Sequence, residues 1–206
     1  MVAIIDYGVG NLFSLQSSFR YIGVDCVVSS TDTEIRAADH VVLPGVGAFG
    51  DAIDKLRKNR LDKTVIAIAK EGRPLLGICL GMQLLFERSF EYGEHQGLGI
   101  LPGNILLMTP DNMGEPLKVP HMGWNSLDIY KSSPLLRYIN PGDYVYYVHS
   151  YYAPVSEDTA AGSRYGNLEV SGVVGNGNVC GTQFHPEKSG NVGLNILRAF
   201  VEMGGA

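Results

Sequence analysis

The sequence predicts an α/β fold: a mostly parallel, open sheet flanked by helices, with antiparallel strands added to it. Three observations carry this. Short apolar runs alternate with helical stretches through the first half of the chain, the pattern of a parallel sheet covered on both faces. From roughly residue 100 to 184 the chain changes character and becomes rich in Gly, Asn and Tyr with short β-like runs, as antiparallel strands are. Finally, 206 residues that are 45% hydrophobic and 18% charged suffice for a sizeable core and suggest one domain spanning 1–206.

The elements follow in order. Val2–Asp6 is a buried strand. Gly10–Tyr21 carries Leu12, Phe13, Leu15 and Phe19, with Ile22 beyond, at helical spacing. Asp25–Ser29 is a second strand, and Thr31-Asp32-Thr33-Glu34 is a helix start with a capping-box pattern. His40–Leu43 is a third strand, followed by a glycine-rich loop and helices over 50–70. Leu75–Ile78 is a fourth strand, and 80–89 is helical. Tyr144–Val148 and Val170–Val174 are antiparallel strands at the sheet edge, and 189–202 is a closing helix. No linker, repeat or low-complexity segment interrupts the pattern. Ligands of open parallel sheets bind at the carboxyl ends of strands. The loops after Asp6, Leu43 and Ile78 fall there.

Composition narrows the function. The formal charge is −5, and no basic run stands out, so nucleic acid is not the expected ligand. The N-terminus, Met1-Val2-Ala3-Ile4-Ile5-Asp6, lacks the basic start and long apolar stretch of a signal peptide. No apolar segment approaches membrane-spanning length. Three cysteines at 26, 79 and 180 make neither a disulfide framework nor a zinc spacing. A reducing cytoplasm, no metal and no cofactor are expected. Cys26 and Cys180 lie in strand-like runs and are taken as small core hydrophobes.

Gly77-Ile78-Cys79-Leu80-Gly81 is the most informative stretch. A cysteine between an apolar strand and a helix, with glycines two before and two after, can be held up at a strained corner. There the helix dipole favours the thiolate, the attacking species. Read alone, the stretch fits a buried structural cysteine equally well. Phe184-His185-Pro186-Glu187 shifts the balance. In an extended run His185 and Glu187 point to one face, and a glutamate beside a histidine orients it and stabilises the imidazolium. An ordinary surface turn is the alternative for this motif alone. The competing bases are His40, His95, His121 and His149. His40 is expected to be structural, and His95 lies in a polar loop.

Pro44-Gly45-Val46-Gly47-Ala48-Phe49-Gly50 is a second glycine-rich loop after a strand. Its N–H groups suit an anion or a developing oxyanion, but it lacks the Lys-Ser/Thr pair of a nucleotide-binding loop. Asp6-Tyr7-Gly8-Val9-Gly10-Asn11 has only part of a dinucleotide glycine turn. Ser29 and Ser30 stand where that motif needs an acid.

Together these motifs resemble the class I (triad) glutamine amidotransferases, from residue 4 to 200. The strings at 6–12, 43–49, 77–83, 120–125 (Pro120-His121-Met122-Gly123-Trp124-Asn125) and 183–189 are more narrowly similar to the glutaminase subunits of imidazole glycerol phosphate synthases. The resemblance implies a flavodoxin-like fold, a Cys79–His185–Glu187 triad and a glutamyl thioester on Cys79. It implies an oxyanion hole from the Leu80 N–H and one near Val46 and Gly47. It places glutamine against Gly45, Gly47, Gln83, Glu91, Ser150 and Tyr151. It implies a separate (β/α)8-barrel cyclase subunit as partner, met at Asn11, Trp124 and Lys188. That subunit uses the ammonia to form imidazole glycerol phosphate and AICAR in histidine biosynthesis. Three alternatives remain: the glutaminase of another synthase, such as the pyridoxal phosphate enzyme; a cysteine peptidase or chaperone of the related superfamily; and a non-catalytic binding module. The strings at 6–12 and 120–125 argue against the first, Leu80 in place of a histidine against the second, and the intact triad against the third.

Overall fold

The computed structural model describes residues 1–204. In chain order, β1 (Val2–Ile5), α1 (Leu12–Tyr21), β2 (Cys26–Ser29), α2 (Asp32–Arg36) and β3 (His40–Leu43) come first. They are followed by α3 (Phe49–Lys58), α4 (Leu61–Lys70), β4 (Leu75–Ile78) and α5 (Leu80–Leu84). Short strands β5 (Arg88–Ser89), β6 (His95–Gln96) and β7 (Asn104–Leu107) precede α6 (Pro110–Met113). Then come β8 (His121–Ser126), β9 (Asp128–Ile129), β10 (Tyr144–His149) and β11 (Tyr151–Tyr152). The chain closes with β12 (Thr159–Tyr165), β13 (Leu168–Asn176), β14 (Val179–Thr182), a 3₁₀ turn over Pro186–Lys188 and α7 (Gly190–Val201).

The main sheet has the order β2-β1-β3-β4-β14-β13-β12-β9. Its first five strands are parallel, and β13, β12 and β9 continue it antiparallel. Every residue of β1 and β4 is buried, as continuous apolar strands in a doubly covered sheet must be. Alternate residues supply opposite faces. Ala3, Ile5, Val41, Leu43 and Leu75 pack with Phe49, Ile53 and Leu56 of α3 and Val65 and Ile68 of α4. Val2, Ile4, Val42, Leu76 and Ile78 pack with Leu15 and Phe19 of α1 and Ile196, Leu197 and Phe200 of α7. Cys180 is buried in the second cluster and Cys26 half-buried at its margin.

Four expectations are corrected. The helix after Cys79 ends at Leu84 rather than 89. The carbonyls of Leu84, Leu85 and Phe86 are taken instead by the N–H groups of Leu98, Ile100, Leu101 and Gly99, so no further turn can form. Thr31 precedes α2 without a side-chain cap bond, and the other half of the box is not made either: the Glu34 carboxylate accepts from the Ser29 hydroxyl at 2.5 Å, and the Thr31 N–H donates to the Ser29 oxygen at 3.0 Å. The strand at 144–148 does not join the main sheet: β10 pairs with β8 over six residues, while β9 occupies the edge of β12. Beyond His185 the chain turns into the 3₁₀ segment rather than continuing extended.

One contact sets a severe local limit. A Cβ on Gly81 would lie 1.9 Å from the Leu43 carbonyl oxygen. Overpacking costs about 1–3 kcal/mol and sometimes more. Gly81→Ala is expected to lower the thermal midpoint by at least roughly 6 °C, taking about 3 kcal/mol at 2–4 °C each. Calorimetry or a dichroism melt checks this, and an unchanged midpoint would contradict the packing.

Candidate active site

Three neighbouring parallel strands bring the site together. Leu43 pairs with Gly77 and Ile78 with Thr182, so the loops leaving β3, β4 and β14 start side by side. Cys79 leaves β4 with φ 54° and ψ −112° as the residue before α5. Its N–H donates to the Thr182 carbonyl at 2.7 Å. A non-glycine residue at positive φ is costly and survives only where its surroundings fix it. Here Gly77 and Gly81 fix it: a Cβ on Gly77 would sit 2.7 Å from the Cα of Met82. The first N–H groups of α5, beginning with Leu80, have no partner within the helix.

From β14 the chain runs through Gln183 and Phe184 to His185. The His185 Nδ1 lies 2.8 Å from a Glu187 carboxylate oxygen, with both side chains buried. The 3₁₀ turn folds Glu187 back onto the ring, which replaces the extended same-face geometry expected from the sequence. Burial alone would push the imidazole down; Cys79 and Glu187 outweigh it and raise His185 to about 10. Its Nε2 is buried without a hydrogen-bond partner. A buried donor of this kind is costly at rest and available to a ligand.

A cavity of about 310 Å³ opens over the cysteine. Val46, Gly47, Cys79, Leu80, Gln83, Glu91, Ser150, Tyr151 and His185 line it, together with Pro120, Val148 and His149. Gly45 does not: it lies behind the loop, where a Cβ would meet the Gly81 nitrogen at 2.6 Å. Glu91 accepts from the Phe49 N–H at 2.6 Å, and burial raises its carboxyl above the ordinary range despite that bond. Tyr7 donates to the Pro44 carbonyl at 2.7 Å and so braces the same loop. Away from the cavity mouth, Trp124 meets Tyr146 edge-on at 6.0 Å, and the Lys188 Nζ stands 5.9 Å over the Tyr146 ring. Asn11 precedes α1, next to Gly10, whose Cβ position is 3.1 Å from Pro44.

The alternative bases are otherwise engaged. His40 bonds the Met203 carbonyl at 2.9 Å, and His95 packs beside Phe49. His149 uses Nδ1 on the Tyr151 carbonyl (2.9 Å) and Nε2 on His121 Nδ1 (3.1 Å). Burial pushes His149 down to about 3 and His121 to about 4. Both are therefore neutral near pH 7. Gln183 escaped the sequence reading. It is fully buried, and its Nε2 lies 3.8 Å from the Cys79 sulfur. Its place directly before Phe184 in the His-Pro-Glu string was the one available signal. Among the described residues no group of three or more His, Cys, Asp or Glu side chains could hold a metal ion. None of the described helices is long and apolar enough to cross a membrane.

Residues 3–203 match the family described as Glutamine amidotransferase class-I. Similar curated proteins include Imidazole glycerol phosphate synthase subunit HisH of Bacillus subtilis. It is 50% identical over 206 residues, covering 98% of this chain and 96% of the relative. The protein of that name from Wolinella succinogenes is 47% identical over 206 residues, covering 99% and 100%. Among solved structures, a glutamine amidotransferase aligns with TM-score 0.74 at 18% identity, covering 98% of each chain. PurLQS from Thermotoga maritima aligns with TM-score 0.74 at 16% identity over 97% and 96%. At such identities the structural likeness concerns the fold alone.

The buried histidine pair sets an acid limit on stability. Both folded values lie below the unfolded value of about 6.5. The unfolded chain therefore takes up protons that the folded chain refuses, and stability falls as pH drops from about 6.5 toward 4. With two such groups the loss approaches roughly 2.7 kcal/mol per pH unit near pH 5. His121→Gln, which removes one of them, is expected to halve that slope between pH 6.5 and 5. Denaturant titrations across this window measure it, and an unchanged slope would mean that the pair already titrates in the folded state.

Proposed function

The chain belongs to the class I glutamine amidotransferase family, and from this premise we propose that it is the glutamine-hydrolysing subunit of an imidazole glycerol phosphate synthase. The carrying observation is the strained Cys79 elbow set level with a buried His185–Glu187 pair by the β4–β14 register. The narrower assignment is supported by the full-length similarity to proteins of that name. Residues 1–206 act as one catalytic domain. Three free cysteines support a cytoplasmic setting.

The chemistry follows from the geometry. Glutamine lies in the cavity over Cys79, with Gln83, Ser150, Tyr151, Val46 and Gly47 around it. Glu91 supplies a carboxylate for its α-ammonium. The Cys79 thiolate attacks the amide carbon. The Leu80 N–H and one from the Val46–Gly47 peptide hold the oxyanion. Imidazolium His185, kept charged by Glu187, gives its Nε2 proton to the departing ammonia. The thioester remains on Cys79. His185 then takes a proton from water, which attacks the thioester and releases glutamate and the thiolate. A separate (β/α)8-barrel cyclase docks at Asn11, Trp124 and Lys188 and receives the ammonia.

Cys79→Ser is expected to abolish glutamine-dependent synthesis in the assembled enzyme and to leave synthesis from added ammonia intact. An electrophilic glutamine analogue should modify Cys79 and spare Cys26 and Cys180, as read by peptide mass spectrometry. Even labelling of the three would sink the nucleophile assignment.

The oxyanion hole is the easiest part to withhold. Gly47 sits at φ 99°, open to other conformations, while Cys79 and His185 are clamped. Losing one donor costs about 10²–10³ in rate. Glutamine hydrolysis by the isolated chain should therefore rise at least about 10²-fold with partner and cyclase ligand. Lys188→Ala or Trp124→Ala should weaken that rise more than glutamine binding. Equal hydrolysis rates alone, with partner, and with partner plus ligand would show a hole already complete at rest.

A further inference from the structure

Gln183 has no part in the steps above, yet its buried side-chain amide donates to the Cys79 sulfur at 3.8 Å. Its orientation is dictated from outside. Gln83 Nε2 donates to the Tyr151 carbonyl at 2.9 Å and to Gln183 Oε1 at 3.0 Å. A backbone carbonyl only accepts, so Gln83 must present its NH₂ group there. Gln183 must then turn its oxygen to Gln83 and its NH₂ to the sulfur. The Tyr151 carbonyl is itself held, since His149 Nδ1 donates to it at 2.9 Å. The backbone adds a second clamp, because Cys79 bonds to Thr182, the residue before Gln183.

We propose that Gln183 is a positioning residue for the Cys79 nucleophile, its amide N–H fixing the sulfur's rotamer and favouring the thiolate. A hydrogen bond to the charged form stabilises that form, and a donor is stronger toward an ionised acceptor than a neutral one. Gln83 thus serves the site twice: it lines the cavity, and through Gln183 it sets the nucleophile. The inference rests on the proposed role of Cys79 as nucleophile.

Two variants of the full chain test it. Gln183→Met nearly keeps the volume and removes the donor. Gln183→Glu keeps an acceptor for Gln83 and places a carboxylate at the sulfur. The readout is the pH profile of Cys79 alkylation by iodoacetamide, followed peptide by peptide, with Cys26 and Cys180 as internal references. The midpoint of Cys79 reactivity is expected to move up by about one pH unit in Gln183→Met, slowing labelling at pH 7 about tenfold, and further in Gln183→Glu. A lowered melting temperature with an unmoved midpoint in either variant would show a packing role only and overturn the proposal. Failure of the wild-type chain, assembled with its partner and cyclase ligand, to be labelled at Cys79 by an electrophilic glutamine analogue would instead overturn the underlying reading.

Discussion

The site depends on how closely the ends of β3, β4 and β14 approach one another. The start of α5 is pressed against the end of β3, leaving room for hydrogen alone on Gly81. Gly45 fits the reverse side of the same contact, and a Cβ on Gly181 of β14 would lie 2.3 Å from the Met82 side chain. These glycines cost backbone entropy in the unfolded chain. In return Cys79 is held at a backbone conformation that it would not adopt freely, with its sulfur in reach of residues that follow β14. A looser junction would relax Cys79 into the helix and remove it from His185.

The interior around this junction sorts its histidines by their neighbours. His121 and His149 bond to each other, His149 also donates to the Tyr151 carbonyl and His121 faces the Asn125 amide NH₂, with no carboxylate among these partners, so burial prevails and both stay uncharged. His185 is equally buried, but it has a carboxylate at 2.8 Å and a cysteine beside it, and its charge is retained. Each pH unit of such a shift is about 1.4 kcal/mol between protonation states. The separation between His149 and His185 is thus large enough to decide which imidazole can hand over a proton near neutrality. His149, although it lines the cavity, has both ring nitrogens committed to the protein.

The parallel half of the fold was legible because its signals are local. Apolar runs of four residues with helical stretches between them specify buried parallel strands almost one by one, and β1, β3 and β4 fall where the periodicity puts them. Cys79 and His185 were legible for the same reason: each sits at a strand end with a distinctive flanking string. Most of what stayed hidden depends on partners distant in the chain, and one feature on a local competitor. Nothing near Leu84 says that residues 98–101 will claim its helix's carbonyls. Glu34 matches a capping box in sequence, but the nearby Ser29 hydroxyl captures it. The bond from Gln183 to Cys79 exists only through the β4–β14 register, which no local pattern encodes.

The loop at 44–47 joins the two halves of the functional argument. It borders the cavity through Val46 and Gly47, and it is braced from behind by the turn that follows β1. Tyr7 holds the Pro44 carbonyl, and Gly10 packs directly on the Pro44 ring. Asn11, the next residue, is where the partner is proposed to dock. A displacement there has a short, packed route to Pro44, and Gly47, two residues past Gly45, is the next glycine along that loop at positive φ. On the opposite side Lys188 adjoins Glu187, whose carboxylate is already committed to His185. The two docking points are therefore unequal. The one beside the triad borders groups already hydrogen-bonded to each other, whereas the one beside Gly10 borders the loop of Gly47, which has a positive φ and open space at its Cβ position. If the proposed partner controls the site, the loop after β3 is the better-placed element to respond, since the His185–Glu187 pair is already hydrogen-bonded without it.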